Sequence, residues 1–414
     1  MIVDLDLKTA RRMAADAAGL CPVTGGLFGS RADGAEAAIA HLSSVQIDTI
    51  SVVERAHHHI LWSRVPTYKP RHLDLLEAEP CRVIEYWSHA AAYLPVADFR
   101  YCLPRMERIR RQGHEWFKAD KATVRRVRER IKAEGPLRVQ DFEGPKRKGA
   151  GWWDWKPAKV ALEYLFHAGE LVSVGREGFQ KRYDLAERAL PQGLDLRRPD
   201  EAAMAAWYVD TASRALGVFS AIDVAYGRKD LTGGTDKEIA HRVESGSLVE
   251  VEVAGLERPK AWYAAPAALE AAASPEAGRA RAFILSPFDP LIIDRRRLRR
   301  LFGFDYQLEC YLPEAKRRFG YFTLPILFRD SSGEASFAGL LDAKAERDTG
   351  ILTLRRLALS GIAPKARSSF AAALVAELRR FAAFNGCADT ALVRLEADDS
   401  RLENLVRERL GRAD

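Results

Sequence analysis

The feature that most restricts what this chain can fold into is an internal repeat in its middle third. Gly135-Pro-Leu-Arg-Val-Gln-Asp-Phe leads into an apolar-periodic helix over 156–167, then Gly169-Glu-Leu-Val-Ser-Val, a gap and Lys181-Arg-Tyr. Gly217-Val-Phe-Ser-Ala-Ile-Asp-Val leads likewise into a helix over 237–243, then Gly246-Ser-Leu-Val-Glu-Val, a gap and Lys260-Ala-Trp-Tyr. Pro157 at a first helical turn, Gly169 and Gly246 just past helix ends, and the alternating apolar residues of 171–174 set the boundaries. Each copy reads as helix, turn, helix and two short strands, the order of a winged helix-turn-helix. Such modules bind nucleic acid more often than anything else, and some serve only as protein-interaction scaffolds.

At 414 residues the chain is long enough for two to four folded units at about 150 residues each. Its 47% hydrophobic and 29% charged residues exclude collagen-like and disordered classes. From about 282 to 359, strand-like runs such as Tyr321-Phe-Thr-Leu-Pro-Ile-Leu-Phe alternate with turns, which predicts a small β-barrel-like module, followed by a helix near 369–384. The predicted class is α+β, divided as 1–134, 135–190, 191–281 and 282–414. The N-terminus lacks the apolar core of a signal peptide, and no apolar run reaches the ~18 residues of a membrane span. The five cysteines are scattered without a Cys-x-x-Cys pair, so neither a disulfide framework nor a thiolate zinc site is expected. The protein is expected to be cytoplasmic and monomeric, without a membrane partner.

The charge is concentrated. Between Arg100 and Lys132 stand twelve Lys or Arg against four acidic residues, an excess of +8 on a chain whose formal net charge is +7. The remainder is therefore close to neutral. Tyr101, Trp116 and Phe117 interrupt this stretch, and a helix is expected over 120–134. A second basic run, Arg295-Arg-Arg-Leu-Arg-Arg, follows Ser286-Pro-Phe-Asp-Pro-Leu-Ile. Either run can be a solvated helix face; as a DNA surface it would give salt-sensitive, sequence-independent binding. In the first repeat, Lys156 and Lys159 on the second helix, with Lys181 and Arg182 in the wing, are the expected phosphate contacts. Trp152, Trp153 and Trp155 read as packing anchors.

The segment from Val45 to Arg64, VQIDTISVVERAHHHILWSR, is the richest in chemistry. Ser51-Val-Val-Glu fits a capping box, which predicts a helix from Ser51 to just before Pro66. Before it, strand-like alternation turns Val45 and Ile47 inward and sets Gln46 and Asp48 together on the other face. An amide beside a carboxylate suits stabilising a developing cation and orienting a water; otherwise Asp48 is merely a helix cap. Within the helix, Arg55, His58, His59 and Trp62 share one stripe, which, with Arg64, is placed as a DNA-facing surface. Consecutive helical histidines diverge by about 100°, so the triple His is not expected to hold a metal.

These residues resemble a known family. The run VQIDTISVVERAHHHILWSRV, with EYWSHAAAYLP from Glu85, GWWDWKPAKVALEYLFHAGELV from Gly151 and SPFDPLI from Ser286, is similar to the bacterial winged-helix DNA glycosylases of the AlkZ/YcaQ type. The resemblance implies three tandem winged helices in a C-shaped arrangement with a β-barrel element. It also implies a Gln-Φ-Gln or Gln-Φ-Asp catalytic signature, and Gln46-Ile47-Asp48 matches the second, the broader branch, which implies removal of N7-alkylated purines and unhooking of N7-linked interstrand crosslinks. Asp48 would stabilise the oxocarbenium-like sugar and activate water, and Gln46 would position it. Tyr86, Trp87 and His89 are candidates to line the pocket. No metal or cofactor is required, and no motif for a Schiff-base lysine is present, so a monofunctional hydrolase acting on double-stranded DNA is expected. The alternative is a non-catalytic winged-helix transcriptional regulator; a protein-interaction scaffold is a third reading.

Overall fold

A computed structural model describes residues 2–21, 27–78, 80–142, 157–227, 234–256, 261–274 and 278–411. Lys156 and the tryptophans at 152, 153 and 155 lie outside the described residues. The chain divides into two compact units, Met1–Lys69 together with Ala205–Asp414, and Pro70–Met204. These cut across the boundaries expected at 134, 190 and 281, because the N-terminal residues complete a core supplied from far along the chain. Strand Ile2–Leu5 runs parallel to Val249–Val253. Helix Leu7–Ala17, capped by Asp6, buries Ala10, Met13 and Ala14 in one cluster with Trp262, Phe283, Leu298 and Leu327.

In this larger unit the 282–359 region forms a sheet rather than a barrel. Arg281–Ile284, Thr323–Arg329, Ala335–Glu346 and Ile351–Leu359 pair antiparallel in that order, and the short strands Asp389–Leu392 and Leu395–Ala397 then join Ile351–Leu359 in parallel. Among the described residues this path does not return to Arg281–Ile284, so the sheet stays open. Helix Arg367–Phe384 buries Phe370, Leu374, Leu378 and Phe381, and Phe370 packs edge-on against Phe328 of the sheet.

The repeat is visible as element order. Helix Lys121–Glu134, the single paired residue Leu137 opposite Tyr183, helix Pro157–His167 and the hairpin Leu171–Glu177 with Gln180–Leu185 make one copy. Helix Glu201–Leu216, strand Val218–Phe219, helix Gly234–Glu244 and strands Val249–Val253 and Trp262–Ala264 make the other, with Val218–Phe219 pairing the last strand. Each copy also holds one short helical turn before its longer second helix, at Val139–Phe142 and Ala221–Val224.

Within the smaller unit, the basic helix Lys121–Glu134 starts at its cap, Asp120, whose Oδ1 accepts from the Thr123 N–H at 2.8 Å. Thr123, Val127 and Ile131, four residues apart, form its buried face, so its arginines point outward. Its core partners include Tyr86, Met106, Leu165, Phe166 and Tyr183.

Candidate functional site

The alternation read at 45–48 is present: Val45 and Ile47 are buried, and Gln46 and Asp48 are half-exposed. Asp48 closes a tight turn on itself, its Oδ1 accepting from the Ile50 N–H at 2.7 Å. Burial raises its carboxyl above the usual aspartate value, opposed by the N–H groups of Ile50 and Thr49.

The capping box at Ser51 does not form. The helix begins at Ala56, and the residues before it are claimed by tertiary partners. The Glu54 N–H donates to Asn385 Oδ1 at 2.6 Å, and Val52 O accepts from the Ala345 N–H at 2.9 Å. The segment after Asp48 is thereby fixed to the sheet strand Ala335–Glu346 and to the end of the long helix, which holds the carboxylate more firmly than a helix terminus would.

The stripe placed on a DNA-facing surface is mostly interior. His59 is 1% exposed and its Nε2 lies 2.8 Å from Ile284 O; burial lowers its ring to about 4, so it is neutral at pH 7. Trp62 stacks on Phe384 with ring centroids 4.8 Å apart. Arg64 is 1% exposed. It donates twice to Asp289, at 2.8 and 3.0 Å, and also to the carbonyls of Ala18 and Ile60. His58 packs with its Nδ1 2.8 Å from the Tyr68 hydroxyl, and Arg55 is half-buried. The sequence placed these residues outward because they are polar; the sheet and the long helix cover them instead. The second basic run is divided: Arg297 is buried and donates to the carbonyls of Leu216 and Val218, Arg295 stacks over Tyr306 and Arg300 pairs with Asp223, whereas Arg296 and Arg299 are exposed.

In the smaller unit, Lys181 is not a phosphate contact. Its ammonium sits 3.3 Å from both Glu85 and Glu163 and 4.0 Å from the Phe166 ring centroid. Tyr86 is 2% exposed and donates its hydroxyl to His167 O, which makes it a core residue rather than a pocket wall. Arg182 is exposed, Lys159 is half-buried, and His89 sits at the turn between strands Val83–Trp87 and Ala91–Pro95. Trp87 is exposed with the Arg105 guanidinium 5.5 Å above its ring. This unit carries a cleft of about 550 Å³ lined by His114, Phe117, Lys118, Lys121, Arg125 and Arg128, among others. Lys118, Lys121, Arg125 and Arg128 outnumber the two carboxylates in the lining, Glu129 and Glu170, and Phe117 and Tyr164 add aromatic rings, a mix that suits a polyanion bearing bases.

Sequence reasoning missed the neighbours of Asp48. Burial raises the Cys310 thiol, and the Asp48 charge raises it further; burial, Cys310 and then Asp48 raise the Tyr311 hydroxyl. Tyr311 is 78% exposed. Both residues stand on the loop between Phe302 and Thr323. Gly320 in that loop is required by close approach: a Cβ there would lie 2.3 Å from the Asp342 carboxylate, itself buried. The available signal was the interleaved run Lys316-Arg-Arg-Phe-Gly-Tyr, which alternates cations with aromatics as the 100–132 stretch does. Among the described residues no group of His, Cys, Asp and Glu is placed to hold a metal, and no helix is long and apolar enough to cross a membrane.

A family model described as "DNA glycosylase AlkZ-like" matches residues 39–384, which contain Gln46, Asp48 and the buried Arg64–Asp289 pair. The chain belongs to the AlkZ-like DNA glycosylase family. The DNA glycosylase AlkZ of Streptomyces sahachiroi has a similar structure, with a TM-score of 0.59 over 95% of this chain and all of that one. At 13% identity that likeness speaks to the α+β fold alone. As an AlkZ-like glycosylase, the chain acts on DNA by cleaving a base from its sugar.

Proposed function

We propose that this AlkZ-like protein hydrolyses the N-glycosidic bond of N7-alkylated purines and unhooks N7-linked interstrand crosslinks, as a monofunctional enzyme. The observation that carries this reading is the placement of Asp48: a half-buried carboxylate, pinned by the Ile50 N–H, on the same face as Gln46.

Alkylation at N7 gives the purine a positive charge, so the base leaves without being protonated. The C1′–N9 bond breaks, both of its electrons go to the base, and an oxocarbenium-like sugar develops. Ionised Asp48 stabilises that cation and takes a proton as water adds to C1′. Gln46 positions the water or the sugar. No lysine need attack the sugar, and the product is an intact abasic site.

A base joined to the opposite strand cannot swing fully out of the duplex, so crosslink unhooking favours an approach to the lesion in place over complete extrusion. The cationic outer face of the helix Lys121–Glu134 supports holding the duplex by its phosphates. The deciding experiment is release of 7-methylguanine and unhooking of a nitrogen-mustard crosslink by the wild-type chain and by Asp48→Asn. Full activity in Asp48→Asn removes Asp48 from the mechanism. Binding to a preferred duplex sequence with no base release from any alkylated substrate favours the regulator instead.

A further inference from the structure

The loop beside Asp48 is braced in a way its length does not require. Glu309 is 3% exposed, and its carboxylate accepts from three consecutive backbone N–H groups, those of Arg318 at 3.0 Å, Phe319 at 2.8 Å and Gly320 at 3.2 Å. The Leu312 N–H donates to Glu309 O at 2.9 Å, and Arg317 Nε donates to Leu312 O at 2.9 Å. Arg356 donates to Arg318 O and lies 4.8 Å over the Phe319 ring, and the Arg317 guanidinium lies 5.0 Å over Tyr321. Charge-assisted bonds to one buried carboxylate thus fix both ends of the loop.

What the brace presents is an aromatic ring in water. Tyr311 is 78% exposed at the turn closed by the Leu312 N–H on Glu309 O, within reach of the Asp48 charge, and Lys316 and Arg318 stand exposed on the same loop. A rigid, exposed ring loses little freedom when something stacks on it, and cations beside aromatics are what a nucleobase with its phosphates meets on a binding surface.

We propose that Tyr311 is the positioning residue that stacks on a DNA base at the lesion, held ready by the Glu309 brace. The stacking holds the base opposite the lesion, so that the sugar and the carboxylate stay in register. The role needs the ring and not the hydroxyl. It rests on the reading that Asp48 faces the scissile bond, and its test does not depend on turnover.

The test uses the full chain and a duplex carrying one tetrahydrofuran abasic site with 2-aminopurine in the opposite position. Wild type is expected to change the 2-aminopurine fluorescence at saturation. Tyr311→Ala is expected to abolish that change and to bind the abasic duplex about 5- to 100-fold more weakly, the range for losing one base–aromatic stack. Tyr311→Phe is expected to match wild type, and affinity for undamaged duplex is expected to stay within twofold for both variants. Since Tyr311 is on the surface, unchanged melting of both variants accompanies these results. A Tyr311→Ala protein that binds the abasic duplex with wild-type affinity and signal overturns the proposal, as does a Tyr311→Phe protein that fails as Tyr311→Ala does. If wild type releases no 7-methylguanine yet shows the Tyr311-dependent signal, the glycosylase substrate reading falls and the stacking role stands.

Discussion

Arg64 and Asp289 form a bidentate ion pair with neither side chain exposed, and the pair joins the end of the histidine helix to the Ser286–Ile292 turn. Asp289 Oδ1 also accepts from the Leu291 N–H, and the guanidinium donates further to Ala18 O, Ile60 O and Ser63 Oγ. Two of the four segments that carry the family resemblance are thus held together in the core. Removing one partner strands a buried charge, so Asp289→Ala is expected to destabilise the larger unit by about 3–5 kcal/mol. Denaturant unfolding checks this, and the pair Arg64→Met with Asp289→Leu is expected to be less damaging than Asp289→Ala alone.

In the proposed mechanism Asp48 acts in its ionised form. Because burial raises its carboxyl, base release is expected to fall on acidification with a midpoint above the 3.8 of an ordinary aspartate. Asp48→Asn is expected to lose on the order of 10²- to 10⁴-fold in rate and to lose this acid limb. Single-turnover release of 7-methylguanine from pH 4 to 8 measures both.

Glu77, in the smaller unit, is 2% exposed, and its carboxyl is pushed up to about 8 by burial and then by the charge of Glu85. Its folded value exceeds its unfolded value of 4.5, so the unfolded chain gives up the proton first as pH rises. The stability this provides is fully present below pH 4.5 and is lost progressively up to about pH 8. Glu77→Gln is expected to remove that slope and to stabilise the protein at pH 8 by on the order of a few kcal/mol. Urea unfolding of both proteins at pH 5 and pH 8 tests the sign.

Lys118, Lys121 and Arg125 line the cleft of the smaller unit and are exposed. Replacing all three by Ala is expected to weaken duplex binding for every sequence alike and to reduce the slope of log K against log salt by roughly 2 to 3. Titration of undamaged duplex at several salt concentrations reads it; an unchanged slope takes the DNA off this helix.

The longer helix and the two paired strands of each repeat, the Val45–Asp48 alternation and the basic helix were legible because each follows a local period, whereas the stretches opening each copy hold only short helical turns and the helix Glu201–Leu216 was not read. Where the reading failed, distant chain intervened. Ser51 is a sound cap in isolation, but Asn385 and Ala345 take the backbone groups around it. His59, Trp62 and Arg64 look like a polar face until Ile284, Phe384 and Asp289 cover them. Tyr311 has no periodicity to betray it; its position depends on a carboxylate reading N–H groups nine to eleven residues later.

The division of the chain has a bearing on its synthesis. Pro70–Met204 is continuous and can close as soon as it leaves the ribosome, whereas Met1–Lys69 must wait for Ala205–Asp414. The segment after Asp48 meets its anchors, Ala345 and Asn385, only when translation is nearly finished. A prematurely terminated polypeptide would therefore carry the folded basic helix without the anchors that fix the segment after Asp48.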